Sequence, residues 1–291
     1  MPSLTGNDVP RQMKPYDALG LDVSHQGHMD HVMTECPFCG DGANSNQRKF
    51  SINVHTGLWR CFSCNAGNEE KESSVTKGGN ALTFMRLLHK RSEEATTDYS
   101  ELMESRGILL FSTLALWGAV RSTISQEWLL PGYNVKGEIN QLYRWVKYQV
   151  VKNGKNVWTH KLMATPGLEM AGEKERHGIH GVFPLDDHYS DVYICEGPWD
   201  GMVLWEALGG IDYNPSVIAV PGCSTFFESW IPLLTGKRVH LLYDSDYPKV
   251  NKQTGAVLGS PGHEGMKRVA RLLLSHTNGP SEVLYLDWGK K

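Results

Sequence analysis

Two Cys-x-x-Cys pairs, Cys36/Cys39 and Cys61/Cys64, stand with 21 residues between them and limit what the N-terminal part of the chain can become. Each pair curls into a tight knuckle that presents two thiolates. Two knuckles joined by a hairpin close a tetrahedral four-sulfur site, the arrangement structural zinc takes. The residues between them supply the hairpin. Phe50-Ser51-Ile52-Asn53-Val54 alternates like a strand, His55-Thr56-Gly57 turns, and Leu58-Trp59-Arg60 returns to Cys61-Phe62-Ser63-Cys64, with Gly67 beyond. So small a unit has little core, and bound metal would supply much of its folding energy. The chain opens without an export signal, which points to zinc rather than disulfides. A redox role for one pair is the rival, but two pairs at ribbon spacing are not the redox pattern. His25, His28 and His31 are three apart, so a short helix over residues 16–33 would set them on one side as a second metal site; the cysteines, however, already supply four ligands. Cys195, in an apolar run, and Cys223, after Pro221-Gly222, read as packing and loop residues.

A second constraint lies in residues 191–246. Asp191 to Cys195 is an apolar run of strand length. Glu196-Gly197-Pro198-Trp199-Asp200-Gly201 follows, then an amphipathic helix with Met202, Val203, Trp205, Ala207 and Leu208. Two further apolar runs, Ser216 to Val220 and Val239 to Tyr243, end in Pro221-Gly222 and Asp244-Ser245-Asp246. Helical patterns between the runs make this a βαβαβ unit with a parallel sheet. Such sheets bind ligands beyond the carboxyl ends of their strands, where Glu196, Asp244 and Asp246 fall. Three carboxylates converging there are costly to keep ionised together. A divalent cation removes that cost, and hard oxygen ligands suit Mg2+. Acidic residues also end strands merely because loops are polar, but two acidic motifs on separate strands are more than that alone requires.

With 291 residues the chain can bury two or three small cores. No apolar run reaches the ~18 residues that a membrane-crossing helix needs. A net charge of −3 gives no bulk attraction for nucleic acid, but it leaves room for a local basic face. Lys136, Arg144, Lys147, Lys152, Lys155 and Lys161 supply one, with Glu138 the single acid among them, and Tyr143, Trp145, Tyr148 and Trp158 are interleaved. Ile139 to Val151 alternates as a strand, Asn153-Gly154 signals a hairpin, and Trp158 to Met163 returns. A solvated sheet face would look the same; cations with aromatic neighbours also suit a groove for single-stranded nucleic acid. Elsewhere, Asn80 caps a helix with Ala81, Phe84, Met85 and Leu88 on one face. A second helix is expected from Ser92 to Ser105, stopped by Gly107. A third starts near His263-Glu264-Gly265, followed by Lys267, Arg268 and Arg271, and Val283 to Leu286 reads as a last strand.

Glu196-Gly197-x-x-Asp200 followed by Asp244-x-Asp246 resembles the TOPRIM domain of primases, type I and II topoisomerases and some nucleases. The stretch Phe50–Gly67 with its four cysteines, and Gly79-Asn80-Ala81-x-x-Phe84 after it, resemble the zinc-binding domain of DNA primases. The second ligand is Cys39 where bacterial members usually have His, as in some bacteriophage primase–helicases. The resemblance implies an α/β and α+β multidomain chain. A zinc-ribbon template-binding domain would occupy 25–106, the basic N-terminal half of a primase RNA polymerase domain 107–190, and a TOPRIM catalytic domain 191–291. It implies a DNA primase, a nucleotidyltransferase that lays short RNA primers on single-stranded DNA in replication. One zinc would be held by Cys36, Cys39, Cys61 and Cys64. Two Mg2+ or Mn2+ ions, about 3.5–4 Å apart, would be held by Glu196, Asp244 and Asp246, with Asp200 second in rank. Arg144 and Lys161 match basic residues of the catalytic cleft, and Lys174 or Arg176 another. Lys267 and Arg268 would meet nucleotide phosphates. Exposed side chains of the hairpin, His55, Trp59 and Arg60, would read the template. The implied partners are template DNA, nucleoside triphosphates, the RNA primer and a replicative helicase, in the cytoplasm, or that of the host if the source is a bacteriophage.

The sequence departs from the family after Asp246. Tyr247 to Gly262, with Pro248, Gly255, Gly259 and Pro261, precedes the helix and is expected to form a mobile flap beside the nucleotide. The family also places an acidic turn after the last strand, with helices or a helicase beyond. Here the sequence stops at Leu286-Asp287-Trp288-Gly289-Lys290-Lys291, so the expectation is a longer parent chain or a helicase recruited in trans. No Gly-x-x-x-x-Gly-Lys-Ser/Thr loop occurs, which excludes a helicase motor from this sequence. The same carboxylates could serve a TOPRIM nuclease or a topoisomerase-like enzyme, although no stretch offers the separate domain with a nucleophilic tyrosine that a topoisomerase needs. A non-catalytic zinc-ribbon DNA-binding protein with a vestigial TOPRIM fold is the third reading.

Overall fold

The computed structural model describes residues 9–24, 30–40, 48–64, 66–67, 79–95, 97–152, 154–168, 177–186, 188–245, 248, 253–255 and 259–286. They form a mixed α/β, multidomain protein with three sheets among the described residues. The chain divides into two compact units that exchange segments: 1–97, 120–131 and 140–176 make one, and 98–119, 132–139 and 177–291 the other.

The first unit opens with α1 (Lys14–Ala18), which has Pro15 in its first turn, a place where proline costs no hydrogen bond. Gly20, at φ +92°, turns the chain out of the helix. His31 then opens a strand, β1 (His31–Thr34), so the helix expected over 16–33 is corrected. β2 (Phe50–Asn53) pairs antiparallel with β1 and with β3 (Trp59–Cys61). Asn53 closes the β2–β3 turn, its Oδ1 accepting from the backbone N–H of His55 at 3.0 Å and of Thr56 at 2.9 Å. The rings of Phe38, Phe50, Trp59 and Phe84 pack with centroids 5.2–6.1 Å apart. Phe84 comes from α2 (Ala81–Glu93), where the Asn80 side chain accepts from Thr83 N–H at 2.9 Å as the expected cap. Gly67 and Gly79 lie so close to the Trp59 ring that a Cβ on either would sit 3.0 or 2.8 Å from it.

The same unit carries an antiparallel sheet of order β4-β5-β6-β7: β4 (Val120–Arg121), β5 (Trp128–Tyr133), β6 (Ile139–Lys152) and β7 (Lys155–Ala164). β6 and β7 are the expected hairpin, with Lys152 opposite Lys155 and Gly154 at φ +73° in the turn.

In the second unit, α3 (Ser100–Arg106) ends on Gly107 at φ +69°. The second helix, expected from 92 to 105, is therefore shorter: α2 already reaches Glu93, and α3 starts only at Ser100. Asp98 Oδ1 accepts from Ser100 N–H at 3.0 Å and starts α3 afresh. α4 (Phe111–Leu116) is capped from a distance, because the Glu206 carboxylate accepts from Leu109 N–H, Leu110 N–H and Thr113 Oγ1 at 2.6–3.0 Å. The main sheet has the order β12-β11-β9-β10-β8. β8 (His180–Gly181) is its antiparallel edge. β9 (Asp191–Cys195), β10 (Val217–Ala219), β11 (Arg238–Leu242) and β12 (Glu282–Tyr285) run parallel. α5 (Pro198–Ala207) and the short α6 (Gly210–Tyr213) join β9 to β10, and α7 (Pro261–Ser275) leads to β12. Between β10 and β11 the expected helix is a 3-10 helix, Glu228–Leu234, with Pro232 inside it; proline has no N–H to continue an α-helical ladder. Val192, Ile194, Val239 and Leu241 of the strands pack on Trp230, Ile231 and Leu234, and on Met266, Val269 and Leu273 of α7.

Candidate functional site

Two sites take shape, one in each unit. In the first, Cys36 and Cys39 flank a turn closed by Gly40 N–H donating to Cys36 O at 2.9 Å. Cys61 ends β3 and turns into Cys64, its sulfur accepting from the N–H groups of Ser63 and Cys64 at 3.4 Å. The Sγ atoms of Cys36 and Cys64 are 3.9 Å apart, as are those of Cys39 and Cys61, and all four lie within 4.8 Å of one another. A zinc ion with Zn–S bonds of about 2.3 Å at a tetrahedral centre demands sulfurs roughly 3.8 Å apart, so the cage fits. Burial pushes the Cys36 and Cys64 thiols up. Burial also opposes the Cys61 thiolate, yet its backbone N–H donors bring that thiol below the usual range. Four thiolates this close can be ionised together only around a cation.

Around this cage the structure sorts the hairpin residues. His55 is exposed, with Nε2 3.3 Å from Asp30 Oδ1. Arg60 is half-buried, and its guanidinium lies 5.3 Å over the Phe62 ring. Trp59 departs from expectation: it is buried, and its Nε1 donates to Asn80 O at 2.8 Å, so it holds α2 to the ribbon instead of facing outward. The exposed aromatic is Phe62, 57% accessible, which sequence reasoning passed over although it sits inside the second Cys-x-x-Cys. The strand parity gives the signal: Trp59 and Cys61 face inward, Arg60 outward. His25 and His28 lie outside the described residues, and His31 Nδ1 is 3.0 Å from Ser51 Oγ.

In the second unit, the register pairs Cys195 of β9 with Leu242 of β11 and with Ala219 of β10. Glu196 and Asp244 therefore leave neighbouring strands at the same edge of the sheet. Asp244 N–H donates to Glu196 Oε2 at 3.2 Å. α7 closes over them: a Cβ on Gly262 would overlap the Asp244 carbonyl oxygen and lie 2.8 Å from Glu196 Oε2. Gly265, one turn on, meets the backbone of Cys223 as tightly. Asp200, in the first turn of α5, has its carboxyl pushed up by the protein atoms crowded around it and then by the Asp244 charge, although its surface reaches solvent. The same burial and charges push the Cys195 thiol to about 12, in keeping with a packing residue. Arg106 counters the field at Asp200 while its guanidinium lies 4.9 Å over the Trp199 ring. An Arg-Gly at a helix end gave no hint of a partner so distant in sequence.

Asp246 lies outside the described residues, as do Lys174, Arg176 and Asp287, and half of the stretch expected to form a flap. Among the described residues, the four cysteines are the only group of three or more ligand-type side chains gathered within 4.8 Å. Glu196, Asp200 and Asp244 do not gather within that distance. Lys267 Nζ is 3.3 Å from Glu264 Oε1, and Arg268 Nη2 donates to Cys223 O at 3.3 Å, both on the exposed side of α7. In the first unit, Arg144 Nη1 pairs with Glu127 Oε2 at 3.2 Å, and Lys161 is exposed on β7.

No protein-family model matches the chain, and no curated protein does. Among solved structures it is similar to the zinc-binding and RNA polymerase domains of the Aquifex aeolicus primase, at TM-score 0.45 and 15% identity over 98% of this chain and 80% of that one. It is similar to the E. coli primase catalytic core, at TM-score 0.44 and 15% identity over 72% and 73%. The primase fragment of the bacteriophage T7 primase-helicase gives TM-score 0.41 and 13% identity over 88% and 89%. At such scores and identities these likenesses fix neither the fold nor an activity.

Proposed function

We propose that the chain is a DNA primase, a nucleotidyltransferase that builds short RNA primers on single-stranded DNA. The observation that carries the reading is the meeting of Glu196 and Asp244 at the carboxyl ends of adjacent parallel strands, in a chain that also builds a four-cysteine cage. The motif Glu196-Gly197-x-x-Asp200 with Asp244-x-Asp246, which resembles TOPRIM, gives that geometry its chemistry. In this reading residues 25–106 read the template, 107–190 supply the basic groove and 191–291 carry catalysis.

Glu196 and Asp244, with Asp246, would hold two divalent cations. Cations held there would activate the attacking primer hydroxyl and neutralise the leaving pyrophosphate. The chain's own contribution is placement. The Asp244 N–H fixes one Glu196 oxygen. Asp200, set against Arg106, holds negative charge at the rim. Lys267 and Arg268 of α7 stand ready to exchange their present partners for nucleotide phosphates. His55, Arg60 and Phe62 meet the template from the zinc ribbon, while Trp59 supports them from beneath. Arg144 and Lys161 bind the template backbone, and a helicase supplies unwound DNA.

Single-stranded template with labelled nucleoside triphosphates and Mg2+ or Mn2+ tests the reading. Short RNA products are expected, dependent on template and on Glu196. Cut template without RNA would point to a nuclease, and neither product to a DNA-binding adaptor.

A further inference from the structure

We propose that the outer part of the β6–β7 ribbon is a base-stacking platform for single-stranded nucleic acid, with Trp158 as the ring that meets a base and Lys147 as its flanking cation. The proposal rests on the primase reading for its role, but on its own geometry for its existence. β6 has fourteen residues and β5 only six, and Arg144 pairs with Glu127 just ahead of β5. Beyond that point, among the described strands, β6 and β7 pair with each other.

Register divides the ribbon's side chains into two faces. Trp145, Lys147, Gln149 and Val151 share one with Leu162, His160, Trp158 and Asn156. Arg144, Val146, Tyr148 and Val150 share the other with Met163, Lys161, Thr159 and Val157. The basic residues matched to a catalytic cleft, Arg144 and Lys161, thus lie on the face away from Trp158. On the Trp158 face runs a ladder. Trp145 is buried and stacks on His160 with centroids 4.1 Å apart, and Lys147 Nζ lies 5.4 Å over the Trp158 ring. The outermost ring, Trp158, is 58% exposed, and Val151 beside the turn is 73% exposed.

Large apolar side chains held open at a ribbon tip call for an occupant. Charge identifies it. Of the cations between residues 139 and 164, register sets Lys147 on the Trp158 face and Arg144, Lys152, Lys155 and Lys161 on the other, and no acidic residue lies in that stretch, within a protein of net charge −3. Rings for flat, unpaired bases beside cations for phosphates are what a single strand requires, whereas duplex DNA hides its base faces.

The test uses the full chain, a fluorescein-labelled oligothymidylate and fluorescence anisotropy across a salt series. Trp158→Ala is expected to weaken binding roughly tenfold, and Trp158→Phe to keep it within about threefold. Lys147→Ala should make the salt dependence shallower by about 0.7 in log–log slope. Circular dichroism and zinc content confirm that each variant is folded. Binding by Trp158→Ala equal to that of the parent overturns the platform. So does a Trp158-dependent affinity for phosphatidylserine vesicles with no affinity for the oligonucleotide. Primer synthesis on the same samples separates the two ideas. Trp158-dependent binding without RNA products keeps the platform and rejects the primase. Primers from a Trp158→Ala variant that binds normally keep the primase and reject the platform.

Discussion

Asp191 and Asp200 are nine positions apart, one at the amino end of β9 and the other just past its carboxyl end, and their surroundings push them in opposite directions. Asp191 takes Arg238 on both oxygens at 2.5 and 2.8 Å and His240 Nε2 at 2.6 Å, which hold its carboxyl well below the usual range. A depressed carboxylate stabilises the fold above its unfolded pKa, and that stability is lost as pH falls. Asp191→Asn should therefore lower Tm at neutral pH and converge on the parent in acid. Asp200 has the reverse sign: its charged form is opposed by crowding and by Asp244, so the fold loses stability as pH rises through its titration. Asp200→Asn should raise the Tm of metal-free protein at neutral pH, while lowering activity. That trade is expected where charges are gathered for a ligand. Glu196→Gln keeps the acceptor for Asp244 N–H but removes a charge, and should cut primer synthesis by about 100-fold with an unchanged melt. A parent-like rate from Glu196→Gln would remove Glu196 from the metal site.

At the scale of the element, α7 decides how tightly the carboxylates are enclosed. Gly262 and Gly265 lie one turn apart and bring the helix against the chain that follows β11 and β10 respectively. Because the Asp244 atom facing Gly262 is backbone, it cannot swing aside, so Gly262→Ala should displace the first turn of α7. The expected cost is about 1–3 kcal/mol of stability in a urea melt, with primer synthesis falling further than stability does. A melt and rate equal to the parent's would show that the helix does not seal the site. The amphipathic pattern of Met266, Val269 and Leu273 made α7 legible from the sequence, and the apolar runs made the parallel strands legible, because burial repeats at the period of the element. The glycines were not legible in the same way, since what they touch is set by strands tens of residues upstream. Trp59 was misjudged for a related reason: a hairpin aromatic looks exposed until its neighbours Phe38, Phe50 and Phe84 are in place. The start of α3 was placed too early because the apolar spacing of Ala95, Tyr99 and Leu102 runs back toward Ser92, while Asp98 starts the helix through a local bond.

For the molecule as a whole, the two units differ in what holds them. The second has a continuous apolar core of strand, 3-10 and α7 residues, including Trp230, Leu241 and Val269, with no cysteine of the cage in it. In the ribbon the ring cluster is anchored at Cys36-Pro37-Phe38-Cys39 on one side and at Trp59 next to Cys61 on the other. With metal bound, the sulfurs fix both anchors; without it, the closely spaced thiols must reprotonate or part. Stripping zinc with a strong chelator should therefore raise amide hydrogen exchange through β1, β2, β3 and the start of α2, where Phe84 loses its seat. Exchange in β9, β10 and β11 should stay close to that of the untreated protein. Acid should reproduce the effect. Because bound thiolates take up protons on release, zinc affinity must fall as pH falls, and more than one proton per zinc should be consumed. Exchange followed by mass spectrometry, with zinc measured on the same samples, checks this directly. Equal loss of protection in the parallel sheet would mean that the cage organises the entire chain, and no change anywhere would mean that the cysteines do not hold the ribbon together.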